Sequence, residues 1–172
     1  PELYVIVDTP LRSTGTAANV PMRGVSPQSS KLRQEFQIVS GRMFTPGTFE
    51  IIVGQGAVQE FAGLEVGKQI RWGTTEWQIV GVFKDRGSGA ESEIWTDAQV
   101  LQGAYNRGPT YQSTRVKLTG VDALQPFKDA LTQDPRLNVR IFTEKDYYEE
   151  KSRTLTLMVD ALGTAIAVLM GL

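Results

Sequence analysis

Chemistry in a chain of this size begins with titratable and nucleophilic side chains, and two kinds are missing: none of the 172 residues is cysteine or histidine. Disulfides, thiol nucleophiles, the usual zinc ligands and the commonest base near neutral pH are thereby excluded. Carboxylates remain. Glu91 and Glu93 stand close together in Lys84 to Glu93, KDRGSGAESE, a glycine- and charge-rich stretch expected to be an exposed, mobile loop. Its acids lack the D-x-D-x-D-G spacing of a calcium loop, so no metal is expected. A second motif is IIVGQGAVQEFAG, where Gly54 and Gly56 follow an apolar run and precede a helical pattern, as in a dinucleotide-binding turn. Gln59 occupies the place of the third glycine and no βαβ continuation follows, so the segment reads as a plain strand-to-helix turn without a cofactor. Trp72 and Trp77 on one hairpin have the surface to stack bases or sugars, but no basic patch surrounds them and packing is expected instead. With 18 basic and 19 acidic residues and a net charge of −1, the chain offers no electrostatic case for nucleic acid. No enzyme is expected.

The elements that would carry these residues follow from periodicity and punctuation. Leu3 to Val7 is a β-branched run ended by Asp8, Thr9 and Pro10, and Asn19 to Val25 is a second strand whose Pro21 favours an edge. Ser26 and Pro27 open a short helix ending near Arg33. Phe36 to Val39 and Glu50 to Val53 are strands, and the next helix buries Ala57, Val58 and Phe61 before Gly63. Lys68 to Trp72 and Glu76 to Phe83 form a hairpin around Gly73, with Ile70, Trp72, Trp77 and Ile79 on one face. Ser92 to Trp95 is a strand, followed by a capping box of Thr96 and Gln99 for a helix ending near Gly103. The loop Gly103 to Gln112 holds Tyr105, Arg107 and Tyr111, residue types enriched at partner contacts. Together with Asp85 and Arg86 they are the candidate contact residues. Ser113 to Leu118 is a strand, Asp122 to Gln133 a helix with Pro126 in its first turn, and Leu137 to Phe142 a strand.

The last thirty residues differ from the rest. EKDYYEEKSR, 144–153, has seven charges in ten residues, whereas TLTLMVDALGTAIAVLMGL, 154–172, has only Asp160. Thr143 and Asp146 match a capping box, and Leu155, Val159, Leu162, Ile166 and Leu169 follow helical spacing. The apolar half would be about 28 Å long as a helix, close to the thickness of a hydrocarbon core. Asp160 opposes a span by about 2.5 to 3.5 kcal/mol at mid-bilayer. The alternative is a core or dimer helix of a soluble ligand- or protein-binding module.

These elements give an α+β fold. We expect a mixed-sheet lobe of β-α-β units, a smaller β-rich lobe inserted at about 63–95, and a long C-terminal helix. The domains are then a core at 1–142 and, at 143–172, a stalk running into a truncated membrane helix. The chain begins at Pro1 without a starting methionine or signal segment and reads as a piece of a longer protein.

The order GRMFTPGTFEIIVGQGAVQEFAGLEVGKQIRWGTTEWQIVGVF, preceded by NVPMRGVSP and followed by SEIWTDAQVLQ, STRVKL and an apolar helix, resembles the periplasmic core domain of MacB/FtsX-like ABC transporter permeases. The resemblance covers about Asn19 to Leu172 and rests on order and spacing rather than on any single motif. It implies a non-catalytic domain on the periplasmic side of the bacterial inner membrane, flanked by membrane helices. It also implies a cytoplasmic ABC ATPase subunit or domain as partner, a periplasmic adaptor or substrate protein, and a homodimer or heterodimer of permeases. The implied work is to transmit ATP-driven motion outward, in lipoprotein release, efflux or control of cell-wall enzymes.

Overall fold

Alternation of apolar and polar residues builds the first strand, β1 (Glu2–Pro10): Leu3, Val5, Val7 and Thr9 are buried while Tyr4, Ile6, Asp8 and Pro10 are exposed. The alternation outlasts the apolar run, which is why the strand continues three residues beyond Val7. This computed structural model describes residues 1–33, 35–143 and 146. They divide into two compact units, Pro1–Lys117 and the described part of Leu118–Leu172.

In the first unit β1 pairs antiparallel with β2 (Ala17–Val25), and β2 pairs parallel with β7 (Ile94–Asp97). β4 (Glu50–Gly54) lies between β7 and β6 (Thr75–Asp85). β6 has β4 along one side; along the other, β5 (Gln69–Trp72) pairs with its first half and β3 (Phe36–Gly41) with its second. The result is one mixed seven-stranded sheet, which meets the α+β expectation. The segment 63–95 forms no sheet of its own, because β6 is laddered to β3 and β4 as well as to its hairpin partner. Pro21 is not on an outer strand either. Its register opposite Ile6 turns its nitrogen away from β1, and pairing with β7 begins only at Met22, so no ladder bond is lost.

The sheet buries both faces. On one, Leu3, Val5, Val7, Met22, Ile51, Val53, Trp77, Ile79 and Ile94 pack beneath α2 (Gln55–Glu60) and α3 (Ala98–Ala104). On the other, Val25, Phe44, Ile52, Val80, Phe83, Ala90 and Trp95 form a smaller core, with Phe36 and Ile38 against it. The phase change comes from bulges: the β4–β6 register shifts between Ile51 and Ile52, and the β3–β6 register between Ile38 and Ser40. Gly81 sits at this point, where a Cβ would lie 2.2 Å from the Arg42 carbonyl oxygen.

Two helix starts differ from expectation. The turn at Ser26 forms, with the Ser29 N–H bonded to the Ser26 carbonyl at 2.9 Å, but the helix itself is only α1 (Ser29–Leu32). α3 is capped by Asp97, whose carboxylate accepts from the N–H groups of Gln99 (2.7 Å) and Val100 (3.4 Å). Thr96 is still in the strand and donates its hydroxyl to the Glu50 carbonyl. The segment 113–118 is not a strand; Ser113 alone forms an isolated bridge, to Glu2.

In the second unit a 3-10 turn (Val121–Ala123) leads into α4 (Leu124–Thr132), with Pro126 in its first turn as expected. Leu137 to Phe142 carries no strand assignment, and Leu137, Val139 and Phe142 are exposed. Alternation supplies a face but not a neighbouring ladder, and without one a strand is not made. The Asp146 N–H donates to the Thr143 hydroxyl at 3.1 Å, the first bond of the expected capping box. Leu155, Val159, Leu162, Ile166 and Leu169 lie outside the described residues. Among those described, no helix is long and apolar enough to cross a membrane.

Candidate functional site

Backbone packing requires Gly54 and leaves little room at Gly56 in the VGQG turn. A Cβ at Gly54 would come within 2.1 Å of the Glu91 carbonyl oxygen, and one at Gly56 within 3.1 Å of the same atom. The Gly54 N–H donates to the Glu93 carbonyl at 2.9 Å. The chain's own 91–93 backbone therefore packs directly against this turn.

The stretch Lys84 to Glu93 is pinned by its acids and is less exposed than its composition implies. Glu91 accepts from the N–H groups of Asp85 and Gly87, both at 2.8 Å. Asp85 is buried against Arg33 (2.5 Å) and also accepts from the Ser88 hydroxyl (2.8 Å). The Arg33 guanidinium lies 4.7 Å from the centre of the Trp95 ring, which stacks in turn on Phe36. Glu93 takes a two-pronged bond from Arg23 (2.6 and 2.5 Å) and a third from the Trp95 indole N–H at 3.0 Å. Glu2 meets the same guanidinium at 3.1 Å.

Chemically, this arrangement is a clamp. Glu91 holds backbone N–H groups while Glu93 holds Arg23 and the Trp95 indole, so the two carboxylates serve separate partners. Among the described residues no group of three or more Asp or Glu side chains is placed to hold a metal ion. A second ion pair has the same character: Arg42 and Thr45 hold the Glu50 carboxyl down at about 2, with the arginine bond the larger cause. Lys68 and then Arg12 do the same for Glu65, also to about 2.

The candidate contact residues are dispersed. Asp85 points inward, whereas Arg86 is 80% exposed, takes a left-handed backbone (φ 51°) and reaches Glu35 at 3.5 Å. Tyr105 is half-buried at the end of α3; burial raises its pKa, and its hydroxyl has no partner among the described residues. Arg107 is exposed, with its carbonyl accepting from the Thr110 hydroxyl at 2.9 Å, and Tyr111 is 43% exposed. Arg107 and Tyr111 thus share one loop, tied to α3 by a Gln102 side-chain bond to the Thr110 carbonyl. Sequence reading missed Arg23 and Arg33, the cations that order the acidic stretch. Their only signal was that an arginine interrupts an otherwise apolar strand and another ends a helix before an aromatic residue.

Comparison with known proteins places this geometry. The family profile described as MacB-like periplasmic core domain matches residues 2–134. The periplasmic region of MacB from Actinobacillus actinomycetemcomitans is similar in fold, with a TM-score of 0.60 at 10% identity over 89% of this chain and 74% of that one. The extracellular domain of the noncanonic ABC-type transporter YknZ from Gram-positive bacteria gives 0.55 at 16% identity, over 74% and 68%. No curated protein sequence matches the chain.

Proposed function

The chain belongs to the family of MacB-like periplasmic core domains, the extracytoplasmic domains of ABC transporter permeases, and from that premise we propose that it works as a mechanical coupler without chemistry of its own. In this reading, ATP hydrolysis by a cytoplasmic ABC ATPase moves the permease, and the domain carries that motion to a substrate or partner protein outside the inner membrane. The observation that carries the proposal is the family match over 2–134. The clamps agree with it, since fixed arginine–carboxylate bonds stiffen a sheet. The capped start at Thr143 followed by the apolar sequence 154–172 supplies the link to the membrane.

The proposal is tested in the full permease by deleting residues 1–142 and measuring ATP hydrolysis and export in the same cells. We expect the ATPase to assemble and hydrolyse ATP while export or the dependent cell-wall phenotype is lost. Wild-type export by the deleted permease would overturn the proposal. Separately, residues 143–172 with their natural downstream sequence, fused to a topology reporter, should insert into the membrane.

A further inference from the structure

Charge is unevenly spread in this chain. The whole protein has 19 acidic residues against 18 basic ones, yet between Asp97 and Asp122 it carries Arg107, Arg115 and Lys117 and no acid. Inside that span lies YNRGPTYQS, 105–113, the loop that follows α3. Antibody loops favour the same residue types: tyrosine supplies rigid contact area at low entropic cost, asparagine, glycine and serine adapt their hydrogen bonds, and arginine joins at the strongest contacts. The loop is held by its own bonds. The Arg107 N–H donates to the Gln102 carbonyl, the Thr110 hydroxyl to the Arg107 carbonyl and the Gln102 side chain to the Thr110 carbonyl, each at 2.9 Å. Asn106 and Gly108 take left-handed backbone, with φ of 50° and 63°. At one end Tyr105 packs against the larger core. At the other, the Gln112 side chain accepts from the Tyr4 N–H at 2.5 Å, and the Glu2 carbonyl accepts from the N–H groups of Gln112 (2.9 Å) and Ser113 (3.1 Å), which plugs the start of the β1 edge.

What this held loop presents to solvent is Arg107 and Tyr111, and Tyr4, 41% exposed, lies beside its end. Arg107 enters the loop's bonds through its main chain alone, and its guanidinium has no hydrogen bond or ion pair with a described residue. We propose that loop 105–113 is a docking surface for an extracytoplasmic protein that offers an Asp or Glu side chain to Arg107 and an apolar or aromatic flank to Tyr111 and Tyr4. The site rests on the coupling role proposed above, for which it supplies the surface that meets the partner. Charge selects the occupant: a guanidinium takes a carboxylate through two parallel bonds, and no acid within the loop competes for it. Tyrosine and arginine are also the side chains that carry most binding energy at protein contacts. Because the loop is already ordered at both ends, docking spends little on fixing it.

Photo-cross-linking in the complete permease, in its own cells, tests the surface. The photoreactive amino acid p-benzoylphenylalanine replaces Tyr111 or, as controls, the exposed Val39 or Phe49, and cross-linked peptides are read by mass spectrometry. At Tyr111 we expect adducts at least about tenfold above the controls, joined to a second protein within a few residues of an Asp or Glu. Adding Arg107→Glu should lower that adduct at least about tenfold, and Arg107→Lys should keep most of it. Neither substitution should move the urea midpoint of the 172-residue chain, since the Arg107 side chain bonds nothing described in the fold. Equal adducts at all three positions, adducts confined to lipid, to a second permease copy or to residues 144–150 of the same chain, or an adduct indifferent to Arg107→Glu would overturn the proposal. The coupling role has its own readout, ATP hydrolysis and export by the permease lacking 1–142, so either can fail without the other.

Discussion

Arg33 and Asp85 show how a residue that looks like a surface contact becomes part of the frame. Both side chains are almost fully buried, and the guanidinium is sandwiched by a carboxylate and the Trp95 ring. Arg33→Ala leaves Asp85 buried with only the Ser88 hydroxyl and should cost about 3 kcal/mol in urea unfolding, as breaking one side of a buried pair does. Gly54→Ala acts by sterics, since its Cβ would sit 2.1 Å from the Glu91 carbonyl oxygen and backbone must move. We expect a loss of about 2 kcal/mol. Glu50 gives a pH signature: its folded pKa of about 2 lies below the ordinary carboxylate value of 4.5, so its stabilising effect is complete above about pH 4.5 and is lost as pH falls toward 2. Acid titration of Glu50→Gln should therefore show lower stability at pH 7 and a shallower fall across that window, measured by thermal melts. None of these roles was visible in sequence, where a clamped acid and a solvated one read alike.

At the scale of elements, what could be read depended on whether the signal was local. The hairpin of β5 and β6, the run of β4 and the stop of α2 come from alternation and glycine positions, and they stand close to where the pattern put them. The caps were harder to assign. Thr96 and Asp97 are adjacent and both are capping types, and only the Thr96 bond to the Glu50 carbonyl across the sheet decides between them. Asp97→Ala should cost about 1 to 2 kcal/mol, because it removes the α3 cap and also the bond from the Gly47 N–H, whereas Thr96→Val should leave the helix start intact. Helix loss by circular dichroism and urea midpoints would separate the two. The segments 113–118 and 137–142 have strand-like alternation but no ladder, a non-local condition that a single sequence does not state.

At the scale of the whole molecule, family order was legible from the succession of short motifs, while no residue pattern named a substrate. The distribution of the core makes a further point about how such a domain is built. Among the described residues, both hydrophobic clusters fall between Leu3 and Tyr105, and the bonds that close the start of β1 come from Gln112 and Ser113. Among the described residues, the sheet, both cores and the edge plugs all lie within Pro1–Lys117. A domain with the proposed coupling role must hold its fold while a membrane segment moves. Residues 1–117 alone should therefore unfold cooperatively, with a urea midpoint close to that of the full chain. A fragment ending at Tyr105 should be less stable, since it leaves the outward groups of Glu2 and Tyr4 unpaired at the edge. If 1–117 were instead unfolded while the full chain folded, the apolar C-terminal sequence would be serving as core, and the soluble-module reading would replace the membrane one.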